Sequence, residues 1–250
     1  MSKTVLVTGG TGRLGSLVVP RLRAAGLTVR VLSRRPGADA RGDLATGEGL
    51  PVATRGADVI LHCATAPKGD PTATANLLSA VPGRPHVVYV SVVGIDAMPA
   101  WGYTAGKLRC ESLIAESGLP YTVLRAAQFY EYLLAPMRRM ARWPLIPVPA
   151  GFHVQPVDAT EVADRLVELV LSPVPGRAPD LVGPAPLTWA GMQRDYLRAT
   201  SRHRRVLPLR IPGTAKVRAG GLLPKEPYAT GAITWADYLG RVGTERPRRS

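Results

Sequence analysis

Two side chains that can take part in proton transfer, Tyr103 and Lys107, are four positions apart in the segment Tyr-Thr-Ala-Gly-Lys. In a helix, residues four apart lie on one face, so one bound molecule can contact both. A tyrosine with its ordinary pKa near 10 is a weak acid at neutral pH, and a neighbouring ammonium group lowers that pKa. The spacing therefore predicts a tyrosine that can give a proton to a carbonyl oxygen, with Lys107 assisting.

A glycine-rich turn near the start of the chain has the spacing that diphosphate binding requires. It follows an apolar run at residues 4–8 and opens a helical pattern that continues to about residue 25. The first glycine permits a tight turn, the second lets the backbone approach the ligand, and the third lets the helix pack near the strand. Free amides at the helix start then favour a bound anion. The predicted dinucleotide contacts are Gly9, Thr11, Gly12, Arg13, Leu14 and Gly15.

The second predicted strand, residues 28–32, is followed by Ser33, Arg34 and Arg35. An NAD site usually has an acidic residue about 20 positions after the glycines, where it binds the ribose 2′-hydroxyl. No carboxylate stands there, and Asp39 lies further along the loop. Either arginine can instead pair with a 2′-phosphate through two parallel hydrogen bonds. These residues favour NADP(H) as the cofactor, with NAD(H) as the second candidate.

Apolar strands alternate with amphipathic helices through the first half of the chain. The predicted strands are residues 4–8, 28–32, 58–62, 86–90 and 121–125, and predicted helices include residues 72–81 and 103–117. This alternation is typical of an α/β fold with a doubly wound (Rossmann) parallel sheet.

The alternation breaks down after residue 125. The proline-rich segment 136–157 is predicted to form loops and short strands. Further along, Thr188 is predicted to cap a helix, and residues 205–211 are predicted to form an edge strand. We expect an NAD(P)-binding Rossmann core at residues 1–130. Residues 131–250 are expected to return to that core near 155–185 and otherwise to form a small C-terminal substrate-binding subdomain.

Composition excludes several classes of protein. The 250 residues are 46% hydrophobic and carry a formal net charge of +14, as ordinary globular chains can. Two cysteines cannot form a disulfide framework, and no metal site is predicted. Residues 194–250 hold 13 basic and 4 acidic residues, but few aromatics that would stack on bases. We expect a cytoplasmic protein with no signal peptide, no membrane contact and no nucleic-acid partner.

The sequence also resembles a known family, the atypical short-chain dehydrogenases/reductases of the NmrA-like NAD(P)H-binding group. The resemblance covers about residues 3–170, and its motifs are the glycine turn with Leu-Ser-Arg-Arg, Gly42-Asp43-Leu44, the segment 62–66, Val87-Val-Tyr-Val-Ser91-Val-Val-Gly94, the segment 103–111, the segment 118–125 and Gln155-Pro-Val-Asp158-Ala-Thr-Glu161-Val-Ala163.

The resemblance implies further cofactor contacts. They are Asp43 and Leu44 at the adenine, Ala64, Thr65 and Ala66 under a cofactor ribose, and Lys107 at the nicotinamide ribose. Ser91 matches the serine that orients a substrate carbonyl when it is counted from Gly94, whereas Val92 takes that place when the count starts at the strand end. The catalytic set implied by the resemblance is therefore Tyr103, Lys107 and, when the count starts at Gly94, Ser91.

A substrate pocket is expected above the nicotinamide, at the carboxyl ends of the strands. Its candidate residues include several aromatic side chains, which suit a flat or hydrophobic substrate. They are Trp101, Gln128, Phe129, Tyr130 and His153, with Tyr132 and Gln155 as further members.

Two classes of function follow from these features. The first is an NADPH-dependent oxidoreductase that reduces a carbonyl or enone of a small metabolite, with non-redox epimerase, dehydratase or cyclase chemistry as a variant. The second is a non-catalytic NADP(H)-sensing regulator that docks onto another protein. The Tyr103–Lys107 pair favours the enzyme over the regulator. For the enzyme we expect a small-molecule substrate and a monomer or homodimer.

Overall fold

A computed structural model of the chain describes residues 2–65, 70–97 and 102–243. The strands are β1 (Thr4–Thr8), β2 (Thr28–Ser33), β3 (Ala40–Arg41), β4 (Val59–His62), β5 (His86–Val92), β6 (Tyr121–Ala126), β7 (Leu145–Pro149), β8 (His153–Val154), β9 (Gly176–Arg177), β10 (Asp180–Val182), β11 (Leu187–Thr188), β12 (Arg205–Leu209) and β13 (Tyr228–Thr230).

The helices are α1 (Arg13–Ala24), α2 (Leu50–Ala53), α3 (Asp70–Ser79), α4 (Gly102–Glu116), α5 (Tyr130–Met140), α6 (Ala159–Leu171), α7 (Trp189–Ala199) and α8 (Trp235–Gly243). A 3₁₀ turn at Ile95–Ala97 and a π-helical turn at Val217–Gly221 complete the described elements.

Nine of the described strands form one sheet, in the order β13-β10-β6-β5-β4-β1-β2-β3, with β9 beside β6. The central strand β1 pairs in parallel with both β2 and β4. Val5, Leu6 and Val7 of β1 are fully buried, as expected for a parallel strand covered on both faces by helices. The predicted doubly wound α/β fold is confirmed.

The chain divides into two compact units. The first consists of Met1–Arg125 and Ala159–Pro179, and the second of Ala126–Asp158 and Asp180–Ser250. The first unit contains the glycine turn and the helix of Tyr103. In the first unit, α6 packs along α1, where Arg21 and Asp164 form an ion pair of 2.6 Å.

One prediction after residue 125 is wrong. The segment from Pro136 was expected to be loop, but Pro136 lies inside α5. The side chains of Tyr130, Leu133, Leu134 and Met137 recur at helical spacing and are buried on one face. Their burial outweighs the roughly 3 kcal/mol that an interior proline costs a helix.

Arg125 connects three elements of the first unit from the inside. Its guanidinium donates two hydrogen bonds to the Glu111 carboxylate in α4, at 2.9 and 2.7 Å. It donates another to Asp96 in the 3₁₀ turn, at 2.6 Å. The sequence left open whether this arginine holds a loop or a phosphate; in the structure it fastens a loop and α4 to the end of β6.

Replacing Arg125 by methionine should destabilise the protein by about 3 kcal/mol, because the largely buried Glu111 carboxylate then loses its cationic partner. Arg109→Met is the matched control, since its ion pair with Glu116 on the same helix is exposed and is expected to contribute less than about 1 kcal/mol. Urea denaturation of both variants measures the difference. Equal losses would show that the Arg125 network adds little to stability.

Candidate functional site

The ends of the central strands lie at one edge of the sheet. Thr8 is in register with Leu32 of β2 and with His62 of β4, and His62 with Tyr89 of β5. Because these strands are parallel, the residues that follow them emerge side by side. The glycine turn, the arginine pair and the segment after His62 therefore share this edge.

Gly9 and Gly15 form a turn in which side chains have no room. Gly9 has a φ of +67°, and a Cβ there would lie 2.6 Å from the backbone nitrogen of Ala64. A Cβ on Gly15 would lie 2.2 Å from the carbonyl oxygen of Gly9. The turn is closed by a 2.9 Å hydrogen bond from the Gly12 N–H to the Gly9 carbonyl. Backbone alone thus lines the surface next to α1.

The N-terminus of α1 is available to an anion. Gly12 occupies the capping position, and no described side chain accepts a hydrogen bond there. Thr11, Gly12 and Arg13 are exposed, whereas Leu14 and Gly15 are buried. With no acidic residue in the first turn, the backbone N–H groups of that turn and the positive end of the helix dipole suit a diphosphate.

Arg34 and Arg35 are exposed beyond the end of β2. Across the described ranges, neither guanidinium has an ion pair or a hydrogen bond. The Ser33 hydroxyl accepts the N–H of Arg35 at 3.2 Å and so shapes the turn. Asp39 is engaged elsewhere, because its carboxylate pairs with Arg23 at 3.2 Å and accepts the Val31 N–H at 3.1 Å.

The predicted adenine contacts Asp43 and Leu44 follow β3. The Asp43 carboxylate accepts the Ala45 N–H at 2.8 Å, and the Leu44 side chain packs against the apolar core. Asn76 of α3 donates hydrogen bonds to the carbonyls of Leu44 and Ala45, at 2.9 and 3.0 Å. Asn76 thus holds this loop, and no sequence motif marked it.

Lys107 is the most deeply buried cation of the site, with 4% of its surface exposed. Its Nζ lies 3.6 Å from the Asp70 carboxylate and donates to the Val90 carbonyl at 3.4 Å. It also lies 4.9 Å from the ring centre of Tyr89 and 6.0 Å from that of Tyr103. Tyr103 itself is 47% exposed. The structure therefore brings the predicted Tyr103–Lys107 pair together at the edge of α4.

Asp70, at the start of α3, is the partner that sequence reasoning missed. Its carboxylate also accepts a hydrogen bond from the Thr65 hydroxyl at 2.7 Å. Burial lowers the pKa of Lys107, and the Asp70 charge opposes that shift. The pairing depends on the approach of α3 to α4, which no local spacing in the sequence shows.

Ser91 lies on the face of β5 that packs against α4. Val87 and Tyr89, at alternating positions of the same strand, contact Cys110 and Ile114 of that helix. The neighbouring Val92 belongs to the opposite face. The Ser91 hydroxyl is buried, and no described residue hydrogen-bonds to it. Its strand face supports Ser91 over Val92 as the third member of the set, which stays a prediction.

A chain of buried hydrogen bonds passes under the glycine turn. The Thr8 hydroxyl lies 2.6 Å from Nδ1 of His62, and Nε2 of His62 lies 3.1 Å from the Thr74 hydroxyl. Thr8 also accepts the Ala64 N–H at 3.2 Å, and so connects this chain to the turn. Burial, followed by the charge of Lys107, lowers the pKa of His62 to about 3, against an opposing effect of Asp70. The imidazole is therefore neutral at physiological pH.

The remaining predicted residues belong to the second unit or fall outside the described residues. Ala66 and Trp101 are outside the described residues. Four predicted substrate contacts, Gln128, Phe129, Tyr130 and His153, belong to the second unit, as do Tyr132 and Gln155.

Within the second unit, the aromatic side chains differ in accessibility. Tyr130 is buried, donates from its hydroxyl to the Ile233 carbonyl at 2.9 Å, and packs against Trp235 and Tyr238. These are the contacts of a packing residue. Phe129 stacks on Tyr132 with ring centres 5.7 Å apart, and Tyr132 is 57% exposed. A substrate role for these residues stays a prediction.

The other two polar candidates of the second unit have backbone partners. Nδ1 of His153 lies 3.1 Å from the Gly151 carbonyl oxygen. The buried Gln155 amide donates to the Gly183 carbonyl at 2.8 Å. Gln128 is partly buried, and its side-chain oxygen has no hydrogen-bond partner among the described residues.

The backbone-lined turn at the edge of a doubly wound sheet defines a dinucleotide-binding protein. More narrowly, the chain belongs to the NAD(P)H-binding family, whose model matches residues 9–173. This match confirms the NAD(P)H-binding group to which the sequence resemblance points.

Two curated proteins are similar in sequence to this chain. A (4-alkanoyl-5-oxo-2,5-dihydrofuran-3-yl)methyl phosphate reductase of Streptomyces griseus is 31% identical over 52% of this chain, and the match spans only 50% of that relative. An NAD(P)H azoreductase of Xenophilus azovorans is 26% identical over 88% of this chain and 82% of its own length.

The structural neighbours share the fold over nearly the whole chain. An NADPH-dependent quinone oxidoreductase from Escherichia coli, complexed with NADPH, has a TM-score of 0.80 at 17% identity, covering 95% of this chain and 99% of that one. A nucleoside-diphosphate-sugar epimerase from Staphylococcus aureus has a TM-score of 0.78 at 16% identity, covering 96% and 99%.

His62 takes up a proton only when the protein unfolds. The free energy of unfolding should therefore fall as the pH drops from the unfolded-state pKa of 6.5 toward the folded-state pKa of about 3. This one group contributes a loss of ~2 kcal/mol between about pH 7 and about pH 5. Urea denaturation of wild type and of His62→Asn at both pH values should show a flatter profile in the variant.

His203→Asn is the control, since His203 is exposed and its replacement should leave the wild-type pH profile intact. A His62→Asn profile as steep as that of the wild type would contradict a buried neutral imidazole.

Proposed function

We propose that this chain is an NADPH-dependent oxidoreductase that reduces a carbonyl or enone of a small, hydrophobic or aromatic molecule. The observation that carries the proposal is the accessible Tyr103 on α4, one helical turn before the buried Lys107. Both belong to the unit that contains the glycine turn. A family that binds NAD(P)H, together with a positioned proton donor, is what a hydride-transfer reaction requires.

The residues present fit a dinucleotide phosphate. Gly9 and Gly15 leave backbone surface that a Cβ would fill, and the amides at the start of α1 are uncapped. Arg34 and Arg35 offer planar donors for a 2′-phosphate, while Asp39 is already paired with Arg23. This charge arrangement supports NADPH over NADH.

At the other end of the cofactor, the side chains have separate tasks. NADPH, when bound, would supply a hydride to the substrate. Lys107 would hold the nicotinamide ribose through its ammonium group, which is itself held by Asp70. Tyr103 donates the proton to the substrate oxygen, and the Lys107 charge stabilises the negative charge that develops on the tyrosine. Ser91 orients the carbonyl with its otherwise unpartnered hydroxyl.

Cys63 is not suited to act as a nucleophile. Burial raises the pKa of Cys63 to about 12, so its thiol stays protonated although it follows β4 at the same edge. The groups assigned to proton transfer and to carbonyl binding at this edge are Tyr103 of α4 and Ser91 of β5. This assignment favours reduction of a C=O or a conjugated C=C–C=O group over acyl transfer.

The substrate class draws on the relatives. They are named as reductases of a phosphorylated dihydrofuran, of azo compounds and of quinones. A quinone is a flat, conjugated dicarbonyl and so falls within the proposed class. Simple quinones, cyclic enones and aromatic aldehydes are therefore suitable probes.

Arg34→Ala or Arg35→Ala should weaken NADPH binding by about 10- to 100-fold, because a charged hydrogen-bond partner of the 2′-phosphate is lost. The affinity for NADH should stay unchanged. Titration followed by tryptophan fluorescence measures both, and Arg55→Ala, an exposed arginine after α2, is the control. Equal weakening of NADPH and NADH in both variants would argue against a 2′-phosphate site.

Tyr103→Phe should lower kcat by about 10²- to 10⁴-fold and leave the Kd for NADPH nearly unchanged, because only the proton donor is removed. The measurement is NADPH oxidation with the quinones, enones and aldehydes named above. Tyr121→Phe, on β6, is the control and should retain full turnover.

Unchanged turnover in Tyr103→Phe would remove this tyrosine from the mechanism. No turnover with any probe, combined with a strong binding preference for one redox form of the cofactor, would favour the sensing function instead.

A further inference from the structure

A small two-stranded sheet in the second unit has apolar side chains on both faces. β7 and β12 pair in parallel, with Arg205 opposite Leu145 and Leu209 opposite Pro149. Ile146 and Val148 point to the inner face and are buried. Because side chains alternate along a strand, the outer face consists of the other positions. These are Leu145, Pro147, Pro149, Arg205, Leu207 and Leu209.

This outer face and its flanks are open to solvent. Trp143, just before β7, and Ile211, just after β12, are exposed as well. Nine large hydrophobic residues are exposed in the described chain, and five belong to this surface: Trp143, Leu145, Leu207, Leu209 and Ile211. Outward positions of a solvated sheet are normally polar, so these five exposed apolar side chains together indicate a binding surface.

The rim of the same surface is basic. Arg142 precedes β7. Arg204 comes just before β12, Arg205 is its first residue, and Arg210 follows it. All four are exposed. The sequence has no acidic residue at positions 132–157 or 196–225, the two segments that build this surface. Pro144, Leu145, His203, Arg204 and Arg205 together line a shallow depression, to which the two arginines contribute positive charge.

These features disfavour several occupants. Pro147, Pro149 and Pro208 have no N–H, so these strands are poor templates for adding a peptide strand. A symmetric contact between two copies would bring like charges together. Nucleic acid would need aromatic stacking platforms or polar groups at the centre, where Leu207 and Leu209 stand.

We propose that the outer face of the β7–β12 sheet docks this protein onto an anionic lipid surface. Leu145, Leu207, Leu209 and Ile211 enter the boundary between headgroups and acyl chains, and Trp143 lies at headgroup level, where indole rings are favoured. The arginines at the rim bind lipid phosphates, each contributing roughly a fivefold gain in affinity.

This contact is peripheral. Within the described residues, no helix combines the length and apolar character that would let it cross a bilayer. No membrane contact was expected from the sequence, because no segment of it is long and apolar enough to span a bilayer. The present surface arises from two strands that are far apart in the sequence, and it does not depend on the proposed reaction.

Co-sedimentation of the purified full chain with vesicles tests the proposal. The protein should bind vesicles made of phosphatidylcholine and phosphatidylglycerol in equal parts, and bind pure phosphatidylcholine at least about tenfold more weakly. Added salt should weaken the binding, because it screens the arginines. Size-exclusion chromatography with light scattering on the same sample reports self-association.

Two variants test the face itself. Leu207→Thr combined with Leu209→Thr keeps strand propensity but removes apolar surface, and Arg204→Gln combined with Arg205→Gln removes charge. Each should lower binding to the anionic vesicles about tenfold or more. Val52→Ser combined with Arg55→Gln, exposed residues of the first unit, should bind as the wild type does.

Thermal unfolding and NADPH titration confirm that the variants are folded. The proposal is overturned if the protein ignores anionic vesicles, if it binds neutral and anionic vesicles equally, or if both variants bind like the wild type. It is also overturned if light scattering shows a dimer that the Leu207→Thr, Leu209→Thr variant converts to a monomer.

Discussion

The site depends on the burial of one positive charge, the ammonium of Lys107. A cation out of water is costly unless it has an anionic partner and hydrogen-bond acceptors. Asp70 provides the charge, the Val90 carbonyl provides an acceptor, and the Tyr89 ring covers the group at 4.9 Å. These partners come from α3 and β5, while the lysine comes from α4. Since Tyr103 is one turn away on α4, the interactions that hold the lysine also fix the backbone that carries the tyrosine.

The glycine turn is subject to a different constraint, because the backbone segments there approach so closely that side chains have no room. Gly9 approaches Ala64 so closely that any Cβ would overlap the backbone after β4. Gly15 brings the start of α1 against the Gly9 carbonyl. The space thus left belongs to backbone N–H groups, whose direction is fixed by strand and helix rather than by rotatable bonds. A diphosphate is recognised by such preorganised donors without the loss of side-chain entropy.

Sequence could predict what depends on local spacing. The glycine turn, the Tyr103–Lys107 face and the strand at Tyr121–Ala126 were all apparent from positions close together in the chain. It could not predict Asp70 or Asn76, because their roles depend on how α3 approaches α4 and the loop after β3. It also misassigned the residues around Pro136, where a buried apolar face outweighed a local helix-breaking signal. In each case a contact between distant segments decided the outcome.

The same limit explains why the net charge of +14 says little about function by itself. Arg125 and Arg21 have carboxylate partners and therefore serve the fold. Arg34 and Arg35 have none across the described ranges, and they stand at the edge where a phosphate would bind. The arginines around β7 and β12 border an uncovered apolar surface in segments without acidic residues. The task of each arginine in this chain is therefore set by its partner, or by the kind of surface that surrounds it.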